Sequence, residues 1–472
     1  MTHRSKLPII RLPLSVMILL LLIFIAGCSK SSNSQVNIGS TSIDTLTILQ
    51  NIATPWELSW GPDDQLWFTE REGRVNHTNP EDGNNTVILT IPEVYQKGES
   101  GLLGMALHPE FTTTPFVYLV YTYLDGPMIR EKLVRYTWNG TSLNQPEVLL
   151  TDIPANSYHD GSRLAFGPDG KLYMSTGDAG HPPNSQNLNV LAGKILRLND
   201  DGSIPADNPN PESYVWAFGL RNSQGLVFAP DGTLYGSEHG PSSDDEVNIL
   251  EMNRNYGWPD VVGFCDTPQE QAFCAQHNVR EPLYAWTPTL AVAGIDHYHH
   301  NAIPEWQNSL IMTSLKASTL YSLKLNESGT AITEVTAYFN DTWGRLRDVC
   351  ISPSGDVYLA VSNRDGRGNP KPGDDRIIRL RSSNTTGLNK VDTIKKSLLI
   401  YPNPVSGDQI LRVDATYSGV KYQIINHKGE MVMNGNISSS ADISIDKALG
   451  KGMYLLRIFT STFAESARFL IL

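Results

Sequence analysis

The sequence predicts an all-β protein built from a six-bladed β-propeller followed by a small C-terminal β-sandwich. The 472 residues include 38 Gly, 29 Pro and 19 Tyr, a composition that favours many short strands and tight turns over helices. Hydrophobic residues make up 40% and charged residues 18%, which supplies a large core and excludes a disordered chain. A strand–turn–strand pattern also recurs along most of the chain.

In each copy of the recurring pattern, a turn of the Pro-Asp-Gly type follows an apolar residue and precedes a strand in which apolar or aromatic residues alternate with others. Pro and Gly supply the backbone angles of a tight hairpin turn, and the apolar alternation after it is typical of a strand. The prolines of successive copies lie 47 to 74 residues apart, a spacing that indicates propeller blades. The alternative, a pair of β-sandwiches sharing a common turn, does not explain six ordered copies. Four copies are clear, at 60–70, 166–178, 228–240 and 351–361, and two are weaker, at 108–121 and 303–314.

The start of the chain has the features of an export signal. Arg4, Lys6 and Arg11 precede an apolar stretch that is too short to be a comfortable membrane span, and small residues lead into Cys28. This arrangement resembles a bacterial lipoprotein signal, in which the Cys receives lipid, and the alternative is an ordinary secretory signal. Both predict export to the outer membrane, the cell surface or the periplasm. We expect a signal peptide over 1–27, a tether over 28–42, the propeller over 43–380, a linker over 381–396 and the β-sandwich over 397–472.

Charge and cysteine content narrow the function further. The net charge of −12 argues against a nucleic-acid partner, because such proteins carry a basic surface. Four cysteines exclude a disulfide-built scaffold. Because the protein is exported, we predict that Cys265 and Cys274 form a disulfide. We expect Cys350, which lies in a predicted strand, to be a buried free thiol.

Propellers gather their functional sites on the loops at one end of the central channel. His159, in the loop that enters the third repeat, is a candidate general base, and the alternative is a structural histidine. Arg221 and Asn222 enter the fourth repeat and offer a cation and an amide that could stabilise an oxyanion; the alternative is a salt bridge between blades.

Three further clusters carry charge. The acidic run at 244–246, beside Gly240 and Pro241, suits a hard cation such as Ca²⁺, although an acidic loop alone is usually just solvated. Lys316, Arg345 and Arg347 would bind a polyanion if they converge, and otherwise make ordinary surface pairs. We assign no metal site to the His-rich segment 296–300, because no Cys or Glu accompanies it at ligand spacing.

Together these segments resemble the soluble quinoprotein sugar dehydrogenases, the family of PQQ-dependent glucose dehydrogenase and, more closely, aldose sugar dehydrogenase. The resemblance covers about residues 52–380, and the family fold is a six-bladed propeller. The motifs that carry it are PWEL (55–58), GESGLLGMALHPEF (98–111), HDGSRLAFGPDGKLY (159–173), LRNSQGL (220–226), SEHGPSSDDEVN (237–248), NYGWP (255–259), SLK (314–316) and RLRDV (345–349).

The resemblance implies a role for each matching residue. His159 matches the catalytic base, which takes a proton from the anomeric hydroxyl while a hydride passes from the same carbon to PQQ. The implied product is a lactone, and the reduced PQQ then passes its electrons to an unknown acceptor. Glu99 stands where the glucose enzyme has Gln, and Tyr158 where it has Asp, so strict glucose preference is not implied. For PQQ, the resemblance implies contacts of Arg221 and Asn222 with the quinone carbonyls and of Lys316, Arg345 and Arg347 with the carboxylates. For the sugar it implies Tyr158 and Trp286, with Glu99 at either cofactor or sugar. For calcium it implies Gly240 and Pro241 at a Ca²⁺ that also ligates PQQ, and Glu246, Tyr256 and Asp266 at a second Ca²⁺.

Two other functions stay open at this point. One is a non-catalytic cell-surface propeller that binds glycan or protein, although such a module would have no reason to keep the base and all the cations. The other is an enzyme for a related polyol or a sorbosone-like substrate.

The C-terminal segment has its own resemblance. Tyr401-Pro402-Asn403-Pro404 and the strand pattern at 451–458 resemble the C-terminal sorting domain of type IX secretion, which implies that secretion machinery as a partner. The alternative is a small carbohydrate-binding or adhesive sandwich of similar size.

Overall fold

The structure is a computed structural model that describes residues 34–383, 398, 400–406, 410–413, 420–426, 431–446, 449–459 and 464–471. The predicted signal peptide at 1–27, the start of the tether and most of the predicted linker lie outside these residues. The chain divides into two compact units, Met1–Thr385 and Thr386–Leu472.

Over residues 34–383, the regular secondary structure of the first unit is nearly all β. Within this range, two short 3-10 helices, Pro182–Gln186 and Pro304–Trp306, and the α-helix α1 (Pro268–His277) lie between the strands. The strands, in chain order, are β1 (Ser34–Ile38), β2 (Thr41–Gln50), β3 (Pro55–Trp60), β4 (Leu66–Glu70), β5 (Arg74–Thr78), β6 (Asn85–Thr90), β7 (Leu102–Leu107), β8 (Phe116–Asp125), β9 (Met128–Trp138), β10 (Leu143–Pro154), β11 (Gly161–Phe166), β12 (Leu172–Thr176), β13 (Lys194–Leu198), β14 (Val215–Phe218), β15 (Ser223–Phe228), β16 (Leu234–Glu238), β17 (Asp245–Leu250), β18 (Tyr284–Trp286), β19 (Val292–Tyr298), β20 (Ser309–Ser314), β21 (Leu320–Leu325), β22 (Ile332–Tyr338), β23 (Leu346–Ile351), β24 (Val357–Val361) and β25 (Arg376–Ser382).

These strands form six antiparallel sheets, as the repeat predicts. Five sheets contain four consecutive strands each, β3–β6, β7–β10, β11–β14, β15–β18 and β19–β22. The sixth joins β23–β25 to β2 and β1 from the start of the unit. The first strands of the sheets, β3, β7, β11, β15, β19 and β23, contact one another in that order, and β23 contacts β3 again. The sheets are therefore six blades around a closed channel, which confirms the predicted propeller.

The start of the propeller corrects one expectation. Residues 34–38 and 41–42 fall within the predicted flexible tether, but they form β1 and the first part of β2. β2 pairs with β25, so the start and the end of the unit close the same blade. Ile38 and Ile43 are buried in the core of that blade, and this burial explains why the segment is ordered. The predicted linker also begins later, because β25 continues to Ser382.

The repeated turns close the hairpins as expected. In the third repeat the backbone N–H of Gly167 donates to the carbonyl of Lys171 (2.8 Å), and in the fourth Ala229 donates equivalently to Thr233 (2.9 Å). Gly170 and Gly232 adopt φ values of +71° and +90°, which favour glycine over any residue with a side chain. The sequence repeat is therefore a structural repeat of the first two strands of each blade.

A buried ion cluster joins the blades inside the channel. The guanidinium of Arg163, on β11, contacts carboxylate oxygens of Glu57 on β3 (2.8 Å) and Asp348 on β23 (2.9 Å). Its Nε donates to the carbonyl of Gln224 on β15 (2.6 Å), and the group lies 4.1 Å from the ring centre of Trp56. The cation of Arg163 therefore connects the inner strands of four blades, and it and its two carboxylate partners are buried.

The described residues of the second unit also form β-strands: β26 (Ile410–Arg412), β27 (Lys421–Ile425), β28 (Met431–Asn436), β29 (Asp442–Ser444), β30 (Gly452–Phe459) and β31 (Ala464–Ile471). β26 pairs with β29, and the other four form a sheet in the order β28, β27, β30, β31. The two sheets share a core that includes Leu411, Ile443, Ile424 and Leu456, as the predicted sandwich requires.

Both cysteine predictions are confirmed. Cys265 and Cys274 form a disulfide with their Cα atoms 6.6 Å apart, which ties the loop before α1 to the helix itself. Cys350 is free and buried. Over the part of the chain that the structure describes, no helix has both the length and the apolar character needed to cross a membrane.

Candidate active site

The loops that enter the first strands of the blades, together with those that leave the second strands, surround one end of the channel. We call this end the mouth, and it contains the segments around Glu99, His159, Arg221, Gly240 and Arg345. The sequence analysis placed its candidate residues on these loops.

A histidine–aspartate pair lies at the mouth. His159 precedes β11, and its Nδ1 lies 2.8 Å from Oδ1 of Asp178, which follows β12. The indole N–H of Trp258 donates to the other carboxylate oxygen of Asp178 (3.0 Å), and Gly180 N–H donates to the first (2.7 Å). Because an ionised carboxylate only accepts hydrogen bonds, the proton of a neutral His159 stays on Nδ1 and its Nε2 keeps a free lone pair. This arrangement allows Nε2 of His159 to accept a proton.

Asp178 and Trp258 were not among the predicted site residues, and the repeat contained no signal for either. The buried residues Glu70 and Glu238 end the second strand in the first and fourth repeats, and the equivalent residue of the third repeat is Thr176, two positions before Asp178. Only the fold brings Asp178 to the histidine.

Tyr158 and Glu99 adjoin the base. The rings of Tyr158 and His159 meet edge to face with centroids 4.9 Å apart, and Tyr158 is 40% exposed. Gly180 packs against the tyrosine, since a Cβ there would lie 2.6 Å from the ring. The backbone N–H of His159 donates to Oε2 of Glu99 (3.3 Å), while Oε1 pairs with Arg367 (2.8 Å). The structure thus brings these predicted residues together.

Arg221 and Asn222 form the next wall of the mouth. Arg221 donates through Nη1 to the carbonyl of His239 (3.1 Å), and its guanidinium lies 5.3 Å from the ring centre of Trp258. Oδ1 of Asn222 accepts the N–H of Gly161 (3.1 Å). The Nε of Arg221 and the Nδ2 of Asn222 are buried without a hydrogen-bond partner. Burial lowers the pKa of Arg221, which shows that the cation is poorly solvated.

The three predicted cations differ in their surroundings. Arg347 is buried, donates through Nη1 to Oε1 of Gln224 (2.7 Å), and has an unpartnered Nε. Burial lowers its pKa to about 9. Nε of Arg345 pairs with Asp365 (2.6 Å), and the exposed Lys316 donates to Thr289 (3.1 Å). The charges of Arg345 and Arg347 interact, and this repulsion also lowers the pKa of Arg347, while Asp365 raises it.

The predicted calcium ligands occupy two places. At Gly240 the backbone is tightly packed, since a Cβ there would lie 1.9 Å from the carbonyl oxygen of Ser243. The carboxylate of Glu246 accepts hydrogen bonds from Asn248 and from the N–H of Gly263, both at 2.9 Å. Among the described residues, no three His, Cys, Asp or Glu side chains converge as a metal-binding group.

The remaining predicted residues lie apart from the base. The hydroxyl of Tyr256 donates to the carbonyl of Ile249 (2.8 Å), and Asp266 is exposed at the start of the helical loop. Trp286 is on β18, the outer strand of its blade, where its ring lies 4.6 Å from that of Tyr284. The Trp286 ring thus lies among aromatic residues of its blade, and its backbone pairs with Asp245 at the start of β17.

Comparison with known proteins identifies the family. Residues 52–378 match the family model described as glucose/sorbosone dehydrogenase, and residues 399–472 match a secretion system C-terminal sorting domain. The chain is 32% identical over 415 residues to quinoprotein glucose dehydrogenase B of Acinetobacter calcoaceticus, covering 69% of this chain and 87% of that protein. It is 30% identical over 335 residues to the aldose sugar dehydrogenase YliI of Escherichia coli, covering 66% and 88%.

Solved structures agree with these matches. The PQQ-bound aldose sugar dehydrogenase of Streptomyces coelicolor is 31% identical, with a TM-score of 0.64 that covers 75% of this chain and 99% of that one. A glucose dehydrogenase-like oxidoreductase of Thermus thermophilus is 36% identical, with a TM-score of 0.64 over 72% and 99%. The family model spans the propeller from β3 to the first residues of β25 and so includes His159, Asp178 and Arg347. This chain therefore belongs to the glucose/sorbosone dehydrogenase family, to which a C-terminal sorting domain is joined.

Proposed function

We propose that this protein is a PQQ- and calcium-dependent aldose sugar dehydrogenase that oxidises the anomeric carbon of an aldose to a lactone. The observation that carries the proposal is an oriented base, His159 on Asp178, beside buried donor groups that have no partner. Membership of the glucose/sorbosone dehydrogenase family and the quinoprotein relative support it.

The donor groups at the mouth fit a planar, oxygen-rich anion. Buried N–H groups without a partner cost about 1–3 kcal/mol each, so Asn222 Nδ2, Arg221 Nε and Arg347 Nε favour a ligand that supplies acceptor oxygens. PQQ carries quinone carbonyls and three carboxylates. Arg221 and Asn222 would hold the carbonyl end, and Arg345, Arg347 and Lys316 the carboxylates. When bound, PQQ supplies the carbon that accepts the hydride from the sugar.

The loop at Gly240 fits a hard cation. A Cβ at this position would lie 1.9 Å from the carbonyl oxygen of Ser243 and 2.6 Å from that of Asp244, so backbone oxygens crowd around it. Ca²⁺ prefers carbonyl and carboxylate oxygens. We propose that the carbonyl groups of Gly240 and Pro241 hold one Ca²⁺, which supplies Lewis acidity at the mouth. Glu246, Tyr256 and Asp266 remain our proposal for a second, structural Ca²⁺.

In the proposed reaction, each side chain of the mouth has a separate role. His159 accepts the proton of the anomeric hydroxyl on Nε2, and Asp178 stabilises the imidazolium that results. Arg221 places a fixed positive charge where an oxygen becomes negative, and such preorganised charge lowers the barrier without rearrangement. Glu99 and Tyr158 hold the sugar against the base. Trp286 stays a predicted sugar contact that its outer-strand position does not support.

One assay tests the proposal. Purified protein is loaded with PQQ and Ca²⁺, a panel of aldoses is added, and both dye reduction and the lactone are measured. We expect oxidation that requires PQQ and Ca²⁺ together and that is lost in His159→Ala at equal PQQ content. Binding of sugars or glycans without oxidation of any aldose would contradict the proposal and favour the non-catalytic propeller.

We also propose that the protein is exported through the type IX system, with the C-terminal unit as its sorting signal and lipid on Cys28. The match of residues 399–472 to a sorting domain supports export. Deleting residues 397–472 should retain the protein in the periplasm, and Cys28→Ser should abolish labelling with a fatty-acid probe. Unchanged cell-surface exposure after the deletion would contradict the sorting role.

A further inference from the structure

One exposed arginine at the mouth makes a specific contact with the base region. Arg367 lies on the segment between β24 and β25, and its Nη2 is 2.8 Å from Oε1 of Glu99. The Arg367 side chain is 67% exposed and that of Glu99 is 29% exposed. The pair therefore sits at the surface of the mouth, where an incoming molecule would meet it.

The segment that carries Arg367 is held firmly in place. Its start is fixed by Asn363, whose N–H donates to the buried carboxylate of Asp375 (2.8 Å). The N–H of Arg367 donates to Oδ1 of Asp365 (2.9 Å), and the other oxygen of Asp365 accepts from Nε of Arg345 (2.6 Å). The backbone of Arg367 is thus positioned by the carboxylate that also orients Arg345, one of the proposed PQQ-binding cations.

Glu99 connects Arg367 to the base. Its Oε2 accepts the N–H of His159 (3.3 Å), and its own N–H donates to the carbonyl of Ser157 (2.8 Å). Burial alone would raise the pKa of Glu99, but the nearby charges of His239 and Arg367 and the N–H of His159 lower it. Glu99 is therefore an ionised acceptor fixed beside the reacting end of the site.

We propose that Arg367 is a specificity-determining residue, which with Glu99 forms the polar wall that binds the ring hydroxyls of a neutral aldose next to its anomeric carbon. This inference rests on the proposed function. A carboxylate accepts hydrogen bonds from hydroxyl groups and a guanidinium donates to them, so the ion pair matches adjacent hydroxyls. The exposed ring of Tyr158, on the other side of His159, offers an apolar face to the C–H groups of the sugar.

If the Arg367–Glu99 pair had a purely structural role, replacing Arg367 would lower the stability of the protein and leave sugar binding unchanged. Ion pairs between exposed side chains contribute little to stability, because water and salt screen them. Arg367→Gln should therefore leave the melting temperature of the protein nearly unchanged while weakening sugar binding. The lysine variant Arg367→Lys, which keeps the charge but not the planar group, should recover part of the affinity.

The test is a double-mutant cycle on the PQQ- and Ca²⁺-loaded protein. Arg367→Gln, Glu99→Gln and the double variant are compared with wild type for KM and kcat with the best aldose. We expect Arg367→Gln to raise KM about tenfold with kcat changed less than threefold, as for one lost hydrogen bond to a charged group. The effect should be smaller in the Glu99→Gln background, because the two side chains bind adjacent hydroxyls as one ion pair.

A binding measurement without turnover gives an independent readout. Calorimetric titration of the aldose into loaded His159→Ala, with and without Arg367→Gln, should show the same loss of affinity. Arg412→Gln is the control, since Arg412 makes a comparably exposed pair with Asp442 in the other unit and should change neither value. A KM within twofold of wild type, or an equal effect in both Glu99 backgrounds, would overturn the inference. A wild-type protein that oxidises no aldose would overturn the proposed function as well.

Discussion

Two buried arginines approach the same tryptophan from different levels of the channel. In the middle, Arg163 lies 4.1 Å from the ring centre of Trp56 and contacts two carboxylates, those of Glu57 and Asp348. At the mouth, Arg347 lies 5.7 Å from the same ring, and its Nη1 donates to the side-chain amide oxygen of Gln224. Both side chains are removed from water. The two regions therefore bury the same group with opposite electrostatic outcomes.

The pKa values of the two arginines express this difference. Burial lowers the pKa of Arg163, but Asp348 and Glu57 more than compensate and raise it above its ordinary value. Burial also lowers the pKa of Arg347, to about 9, and its cationic neighbours Arg163 and Arg71 oppose the single attraction of Asp365. A closed cluster such as that of Arg163 holds the blades together, whereas a buried cation with too few anions favours binding of an anionic ligand.

The largest expected effect tests whether His159 contributes to turnover without contributing to PQQ affinity. His159→Ala should lower kcat by about 10²–10⁴-fold, because it removes the general base. PQQ affinity should change little, because the cations and Ca²⁺ hold the cofactor. Stopped-flow reduction and PQQ titration of the same preparations measure the two quantities. Retained turnover at equal PQQ content would contradict the role of His159.

Breaking the middle cluster should cost stability. Arg163→Met leaves Glu57 and Asp348 buried without their cation, which typically costs about 3–5 kcal/mol. All 9 tryptophans lie in the propeller unit, so tryptophan fluorescence during urea unfolding reports on that unit alone. The control is Arg254→Met, which breaks a partly exposed pair with Glu251 and should cost less than about 1 kcal/mol. Equal losses in the two variants would show that the middle cluster is not structural.

Removing Arg347 should instead weaken PQQ binding while changing the unfolding free energy little. Arg347→Ala should weaken PQQ binding by about 1.5–3 kcal/mol, the usual contribution of a hydrogen bond to a charged group. The unfolding free energy of the PQQ-free protein should fall much less than in Arg163→Met, because no carboxylate loses its partner. Arg347→Lys should restore only part of the affinity, since a point charge does not reproduce the planar donor group. Calorimetry with PQQ at fixed Ca²⁺ provides the measurement.

Local sequence predicted the features that local contacts create. The hairpin turns of the blades were visible because Pro, Asp and Gly close them within a few residues, as at Gly167 and Ala229. β1 was missed, because it pairs with β2, which itself pairs with β25 more than 300 residues away, and because its core forms only when the ring closes. Contacts across the ring leave no local pattern in the sequence.

The candidate site followed the same division. His159, Arg221 and Arg347 were predicted from their place in the repeats and from the family resemblance. Asp178 was not predicted, because it lies outside the repeated strand pattern and only the fold brings it to His159 from another loop. Arg367 gave no signal at all, since it lies in a loop rich in charged residues and only the fold brings it to Glu99. The sequence thus predicted residue types better than pairings.

The smallest expected effect concerns a buried carboxylate of the mouth, Asp160. Burial raises its pKa to about 7, against hydrogen bonding by the N–H of Asn156. An unfolded aspartate titrates near 4, so between about pH 4 and 7 the folded protein holds a proton that the unfolded chain has released. The stability from this group is therefore fully present below about pH 4 and is lost as pH rises to 7. Asp160→Asn cannot titrate, so its unfolding free energy should fall less steeply between pH 5 and 7, by up to about 1 kcal/mol per pH unit. Asp63→Asn is the control: burial alone would raise the pKa of Asp63, but hydrogen bonds from His77, Trp67 and the N–H of Gln65 together lower it, which removes it from this pH window. Superimposable slopes for Asp160→Asn and wild type, measured by urea unfolding, would mean that Asp160 is ionised in the folded protein and that Arg71 neutralises it.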